Sequence, residues 1–147
     1  MYANTYENDQ IRQQSDLQLL SSISKAINGE YTAIACYDHL ARIAPSQKEK
    51  NIITEIRKDE VRHFQTFTSI YTWLTNRQPI PEITESCPQE YLPGLTFAIE
   101  DEQETVDFYL DISERAQHPY IKEQFRRAAA DEQNHAVWFL YIFVRRK

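Results

Sequence analysis

Only two glycines, Gly29 and Gly94, occur in a chain of 147 residues. Tight β-turns, hairpins and bulges draw on glycine for backbone angles that other residues adopt only at a cost, so a β-rich fold of this length needs many more. The scarcity directs the chain to an all-α fold. With 41% of residues hydrophobic and 26% charged, the composition is that of one compact domain with a real core.

Sixteen Lys and Arg stand against 22 Asp and Glu, a formal net charge of -6, with no basic tail or stripe. The electrostatic footprint of a nucleic-acid binder is therefore missing, and nucleic acid is not an expected partner. Residues 1–15 are polar and lack the apolar stretch of a secretion signal. The longest apolar run, residues 136–144, is far short of the roughly twenty residues that span a membrane. The expectation is a soluble cytoplasmic protein without a membrane partner. Cys36 and Cys87 are too far apart for a local Cys-x-x-Cys thiolate site, and reduced, inert thiols are expected.

Punctuation divides the chain into four helices. Ser15, Asp16, Leu17 and Gln18 read as a capping box, followed by an apolar stripe at Leu19, Ile23, Ile27, Ile34, Leu40 and Ala44 that halts at Pro45. This makes residues 1–15 a polar arm and residues 16–147 a single helical domain. Ser46 to Glu49 form a second capping box, and Ile52, Ile53, Ile56, Phe64, Phe67, Ile70 and Leu74 carry helix 2 to about Asn76. Residues 77–91 contain Pro79, Pro81 and Pro88 without periodicity and read as one long connection. Helix 3 carries Leu95, Ala98, Ile99, Val106, Tyr109, Ile112 and Ala116 and ends before Pro119, which suits the first turn of helix 4. Arg145, Arg146 and Lys147 sit at the negative end of the helix 4 dipole. Two tight helical hairpins joined by a long crossover define an up-down four-helix bundle of ferritin-like connectivity.

The hairpins repeat each other at an offset of 72 residues. Ala26-Ile27-Asn28-Gly29-Glu30 matches Ala98-Ile99-Glu100-Asp101-Glu102, and Asp59-Glu60-Val61-Arg62-His63 matches Asp131-Glu132-Gln133-Asn134-His135. Tyr37 with Tyr109, and Ala44 with Ala116, keep the same offset. The repeat implies pseudo-two-fold symmetry, and it preserves acids and imidazoles that an apolar core has no use for.

Those polar residues fall inside the apolar stripes. Glu30 interrupts Ile23, Ile27 and Ile34; Glu60 and His63 interrupt Ile56 and Phe67; Glu132 and His135 interrupt Ala128 and Phe139. On helix 3, Glu102 continues the stripe while Glu100 and Glu104 fall on neighbouring faces. Glu30 and Glu60 are equally far from Pro45, and Glu102 and Glu132 equally far from Gln117, which puts all four roughly 22 Å from their turns. Four glutamates and two histidines thus converge mid-bundle. Burial and mutual repulsion would force protons onto most of the carboxylates unless cations were present, and two divalent metals supply the required charge. The i, i+3 spacing of Glu60 with His63 and of Glu132 with His135 is that of dinuclear carboxylate proteins.

On these motifs the chain resembles a stand-alone ferritin-like domain of the rubrerythrin group, from Ser15 to the C-terminus. The resemblance implies that Glu60 and Glu132 bridge two metals, that Glu30 and Glu102 are terminal ligands, and that His63 and His135 complete the set. It also implies that Asp59 and Asp131 orient a histidine through its free ring nitrogen. Two departures from rubrerythrins stand out: there is no rubredoxin domain for electron entry, and Thr105 occupies the place of their extra helix 3 glutamate. A helix 3 rotated by one position would instead present Asp101 and Glu104, at the expense of the repeat and the stripe.

The expected activity is that of a dinuclear oxidoreductase whose catalytic residues are Glu30, Glu60, Glu102 and Glu132. It would oxidise Fe(II) and reduce dioxygen or peroxide with two iron ions, manganese being the alternative metal, and draw on an unknown electron donor. Iron storage without turnover and manganese catalase-like chemistry are the alternatives. A cage ferritin is disfavoured because only 12 residues follow His135, and a DNA-protecting relative by the acidic balance. Tyr37 and Tyr109 read as core tyrosines with bonded hydroxyls, and Gly29 as a site of close helix approach. The aromatic clusters at Phe97, Phe108, Tyr71 and Trp73, and the run 136–144, exceed one obvious core. They suit either a homodimer or larger homo-oligomer, or packing beneath the crossover.

Overall fold

The computed structural model describes residues 3–146, and these form four helices: α1 (Ala3–Ile43), α2 (Gln47–Thr75), α3 (Tyr91–Arg115) and α4 (Pro119–Arg146). Pro45 ends α1, and Ser46 caps α2 by accepting the Glu49 backbone N–H at 3.2 Å, as the capping box requires. Asn76, left-handed at φ 56°, closes α2 and donates its N–H to Thr72 O. Pro119 opens α4, while the Lys122 ammonium bonds the exposed carbonyls of Ser113, Glu114 and Ala116 at the end of α3.

One boundary differs from the sequence reading. Ser15 does not cap α1; it lies inside a helix that begins at Ala3, and the polar stretch before Leu19 is an exposed helical extension. Nothing between residues 3 and 18 breaks a helix, and lengthening an existing helix costs far less than nucleating one. Lys147 lies outside the described residues.

Each hairpin partner lies alongside its mate, α1 also lies beside α3, and α2 beside α4. Tyr37 meets Glu102, Tyr109 meets Glu30 and Arg115 meets Ser22, so α1 and α3 are antiparallel. Gly94 leaves room for the Leu40 side chain of α1, whose Cδ2 a Cβ at position 94 would clash with. The apolar core is split in two. One half gathers Ile23, Ile27, Phe67, Tyr109, Ile112 and Phe125; the other gathers Tyr37, Leu40, Ile53, Ile56, Leu95 and Phe139. Between them lies the polar layer of Glu30, Glu60, His63, Glu102, Glu132 and His135, every one buried.

The crossover, residues 77–90, returns along α1 from the end of α2 to the start of α3. Glu82 N–H bonds Asn28 Oδ1, Thr84 N–H bonds Thr32 Oγ1, Cys87 is disulfide-bonded to Cys36, and His39 Nε2 contacts Gln89 O. Residues 28, 32, 36 and 39 form one stripe of α1, and about two extended residues match each helical turn. The cysteines are therefore joined, not reduced as the sequence suggested. Their separation of 51 residues hid that the crossover lays position 87 beside position 36, with a Cα–Cα distance of 5.3 Å. Phe97, Phe108 and Tyr71 pack on the core, whereas Trp73, Val137, Trp138, Leu140, Tyr141 and Val144 remain exposed.

Two outcomes follow for stability. Replacing Cys87 by Ser should lower unfolding free energy by about 2–4 kcal/mol, the range for closing a loop of this length, and a reductant should bring the wild type to the same denaturation midpoint. At the bundle end, the Arg146 guanidinium holds the Glu49 carboxyl down to about 2, with Ser46 and Tyr91 adding hydrogen bonds. Because that pKa is depressed from 4.5, its stabilisation is complete above about pH 4.5 and fades as pH falls toward 2. Urea titrations should show Glu49→Gln costing about 1–2 kcal/mol near neutrality and progressively less in acid.

Candidate metal centre

All six residues singled out in the sequence come together. The donor atoms of Glu30, Glu60, His63 and Glu132 lie within 4.8 Å of one another, and so do those of Glu60, Glu102, Glu132 and His135. Glu60 and Glu132 belong to both groups, leaving Glu30 with His63 on one flank and Glu102 with His135 on the other. On α3, Glu102 is wholly buried in the cluster, Glu100 and Glu104 are exposed, and Asp101 is half-buried beside a cavity. The unrotated helix 3 register therefore holds in the structure.

Both imidazoles are fixed from behind. His63 Nε2 lies 2.9 Å from Asp131 Oδ2, and His135 Nε2 lies 2.8 Å from Asp59 Oδ2. An ionised carboxylate only accepts, so Nε2–H donates and each Nδ1 faces the cluster, where a metal would take its lone pair in place of a proton. His63 Nδ1 is 3.0 Å from Glu132 Oε1, and His135 Nδ1 is 2.8 Å from Glu60 Oε1. Arg62 contacts Asp59 at 2.9 Å and Asp131 at 3.5 Å, and Arg127 lies 3.5 Å from Asp131, so two guanidiniums balance the two orienting aspartates. The tyrosines bond the other glutamates: Tyr37 donates to Glu102 Oε1 at 2.6 Å, and Tyr109 donates to Glu30 Oε1. Apart from the Arg62–Asp59 pair within α2 and the Arg127–Asp131 pair within α4, each of these ties links one hairpin to the other, an exchange visible only once the two repeats are docked.

The electrostatics call for cations. Burial, then the neighbouring carboxylates Glu102 and Glu30, push Glu60 well above its ordinary pKa; burial, then Glu102, Glu60 and Glu30, do the same to Glu132. Burial would depress His63, but Asp131 and Glu30 hold it up to about 10. Among the described residues, eight buried side-chain oxygens and nitrogens make no aligned hydrogen bond. Two are threonine hydroxyls, and the other six are Glu30 Oε2, Glu60 Oε1, Glu102 Oε2, Glu132 Oε1 and the two histidine Nδ1 atoms. Orphaned buried atoms are costly. Here they are one from each residue of the layer, and carboxylate oxygens with imidazole nitrogens are the donor set of a hard or borderline divalent metal. The residues present fit a dinuclear metal site.

The comparisons agree. The family model described as Rubrerythrin matches residues 94–147, which hold Glu102, Glu132 and His135. The Bacillus subtilis (strain 168) protein described as "Uncharacterized protein YhjR" is 48% identical over 131 residues, 89% of this chain and 90% of its own length. The chain belongs to the rubrerythrin-related, ferritin-like family. Among solved structures, a hypothetical protein from Pyrococcus furiosus superposes on this rubrerythrin-related chain with a TM-score of 0.74 at 20% identity, covering 90% of this chain and 92% of its own. A conserved hypothetical protein from Mycobacterium tuberculosis does so with a TM-score of 0.77 at 11% identity, covering 88% and 92%. At such identities the likeness is one of fold. No rubredoxin-type domain occurs among the described residues, and no helix of the rubrerythrin-related fold described here is long and apolar enough to cross a membrane.

Glutamine substitutions should separate the three helix 3 glutamates. Glu102→Gln should weaken one metal position, read as a drop in affinity at one of two sites by calorimetry with Mn(II). Glu100→Gln and Glu104→Gln should leave both sites within error of the wild type.

Proposed function

We propose that this chain is a dinuclear metal oxidoreductase that oxidises Fe(II) and reduces dioxygen or peroxide at the Glu30, Glu60, His63, Glu102, Glu132 and His135 layer. The observation that carries this reading is the convergence of six buried donor atoms, one from each of these residues, none of them in an aligned hydrogen bond. Glu60 and Glu132, members of both donor groups, would be shared by the two metals, and Glu30 with His63 and Glu102 with His135 would complete the two positions. A pair of reduced iron ions supplies two electrons, one from each metal, which matches the two-electron reduction of peroxide.

The chain's own residues do the rest. Asp131 and Asp59 keep the histidines in the tautomer that offers Nδ1. Tyr109 and Tyr37 hold one oxygen of each terminal carboxylate and leave the second oxygen to the centre. The apolar halves above and below exclude water, so the fixed charges act in a medium of low dielectric.

Metal analysis of protein purified without chelator, followed by anaerobic Fe(II) loading, should give two metals per chain and oxidation on exposure to oxygen or peroxide. Retention without turnover would favour storage, and native manganese with peroxide disproportionation a catalase. Since burial and the neighbouring carboxylates raise the proton affinity of Glu60 and Glu132 without metal, loading should release protons. Lowering the pH should therefore weaken metal binding and shrink the rise in melting temperature that loading produces. Glu60→Ala and Glu132→Ala should each impair both positions, and Glu30→Ala only one, measured as bound metal per chain.

A further inference from the structure

Gly29 lies in the interior of the 41-residue α1, where glycine costs about 1 kcal/mol against alanine. Neither ordinary reason for a glycine applies to it. Its φ is not positive, and a Cβ built on it meets nothing within 4 Å, so the close helix approach expected from the sequence does not occur there. The repeat does not demand it either, because the equivalent position on α3 is Asp101. What Gly29 borders is open space: a cavity of about 280 Å³ between α1 and α3, roofed by Thr84 and Glu85 of the crossover and floored by Phe108 and Tyr109.

None of the six residues of the layer lines this cavity, which meets the metal centre through Tyr109. Gly29 precedes Glu30 and Asp101 precedes Glu102, and Tyr109 lines the cavity while its hydroxyl bonds Glu30. The six residues of the layer are themselves no more than 5% exposed, so a reactant needs a passage. Besides this one, a groove between α2 and α4 reaches His135 beside Asp59 and Ile56, on the side where the imidazoles are braced. The lining by Gly29 selects by charge as well as size. Glu85, Asp101 and Glu104 oppose anions, against the single cation Lys25, while the aromatic floor and the hydroxyls of Thr32 and Thr84 suit a small neutral molecule with one polar end.

We propose that the cavity beside Gly29 is the docking chamber through which neutral hydroperoxides, hydrogen peroxide and short alkyl hydroperoxides, reach the Glu30 side of the centre, and that the missing side chain at position 29 sets the largest molecule admitted. This assignment rests on the dinuclear oxidoreductase reading. It goes beyond that reading in naming the route and the residue that limits size.

The test uses Fe(II)-loaded, full-length protein without oxygen and nitric oxide as a neutral probe of access, followed by stopped-flow absorbance. Gly29→Leu should fold with an undiminished melting temperature, since leucine is a better helix former and meets open space. It should bind two irons and associate with nitric oxide about tenfold more slowly or worse, because the leucine side chain occupies the space left open beside position 29. Gly29→Ala should keep near wild-type nitric oxide binding yet react more slowly with tert-butyl hydroperoxide than with hydrogen peroxide, relative to wild type. Glu55→Trp, at the mouth of the α2–α4 groove, should alter neither rate. Unchanged nitric oxide binding in Gly29→Leu, or slowing by Glu55→Trp, would overturn the proposal while leaving the oxidoreductase reading intact. Slower iron loading with unchanged nitric oxide binding would make the cavity a metal entrance and overturn it equally. Wild-type protein that fails to hold iron would remove the underlying reading itself.

Discussion

Four carboxylates in one dry layer cannot all be anions unless positive charge is supplied from within, and the arrangement of the bundle answers that constraint. The layer sits between two apolar half-cores, with its carboxylates and imidazoles each offering one atom inward. The outer atoms are tied down: Asp131 and Asp59 take the imidazole protons, and Tyr109 and Tyr37 hold the terminal carboxylates. A core that merely tolerated polar residues would satisfy both ends of each side chain; this one satisfies the outer ends and leaves the inner ones to share a charge.

Much of this was legible in the chain before folding. Helical stripes report burial directly, so Glu30, Glu60 and Glu132 stood out as acids in apolar positions, and equal distances from Pro45 and from Gln117 set their heights. Glu102 was separable from Glu100 and Glu104 because α3 turns by a fixed angle per residue. The turn chemistry at Ser46, Asn76 and Pro119 is local and needs no tertiary knowledge.

What escaped the sequence is what depends on docking. The disulfide required knowing that an extended segment runs beside one stripe of α1, which periodicity cannot report. The start of α1 was misplaced because a capping motif is only a preference, and Ser15 sits comfortably inside a continuing helix. Gly29 looked like a contact and is a gap, whereas Gly94, which drew no comment, is the true contact. Glycine spacing alone cannot distinguish room to approach from room left open.

The exchange of ties between the hairpins has a consequence for how such a centre can be divided. Each hairpin carries its own glutamates, its own histidine, its own aspartate and its own tyrosine, yet it lends the last two to its neighbour. A fragment cut within the crossover would retain every ligand of its half and lose the groups that orient them. Two identical hairpins, each about half this chain, could nevertheless satisfy one another in the same crosswise manner, so the repeat preserves the logic of a symmetric pair of chains fused by duplication. The crossover then stands as the splice, free to acquire what no symmetric ancestor could hold: a roof over one face alone, and with it a front and a back to the centre.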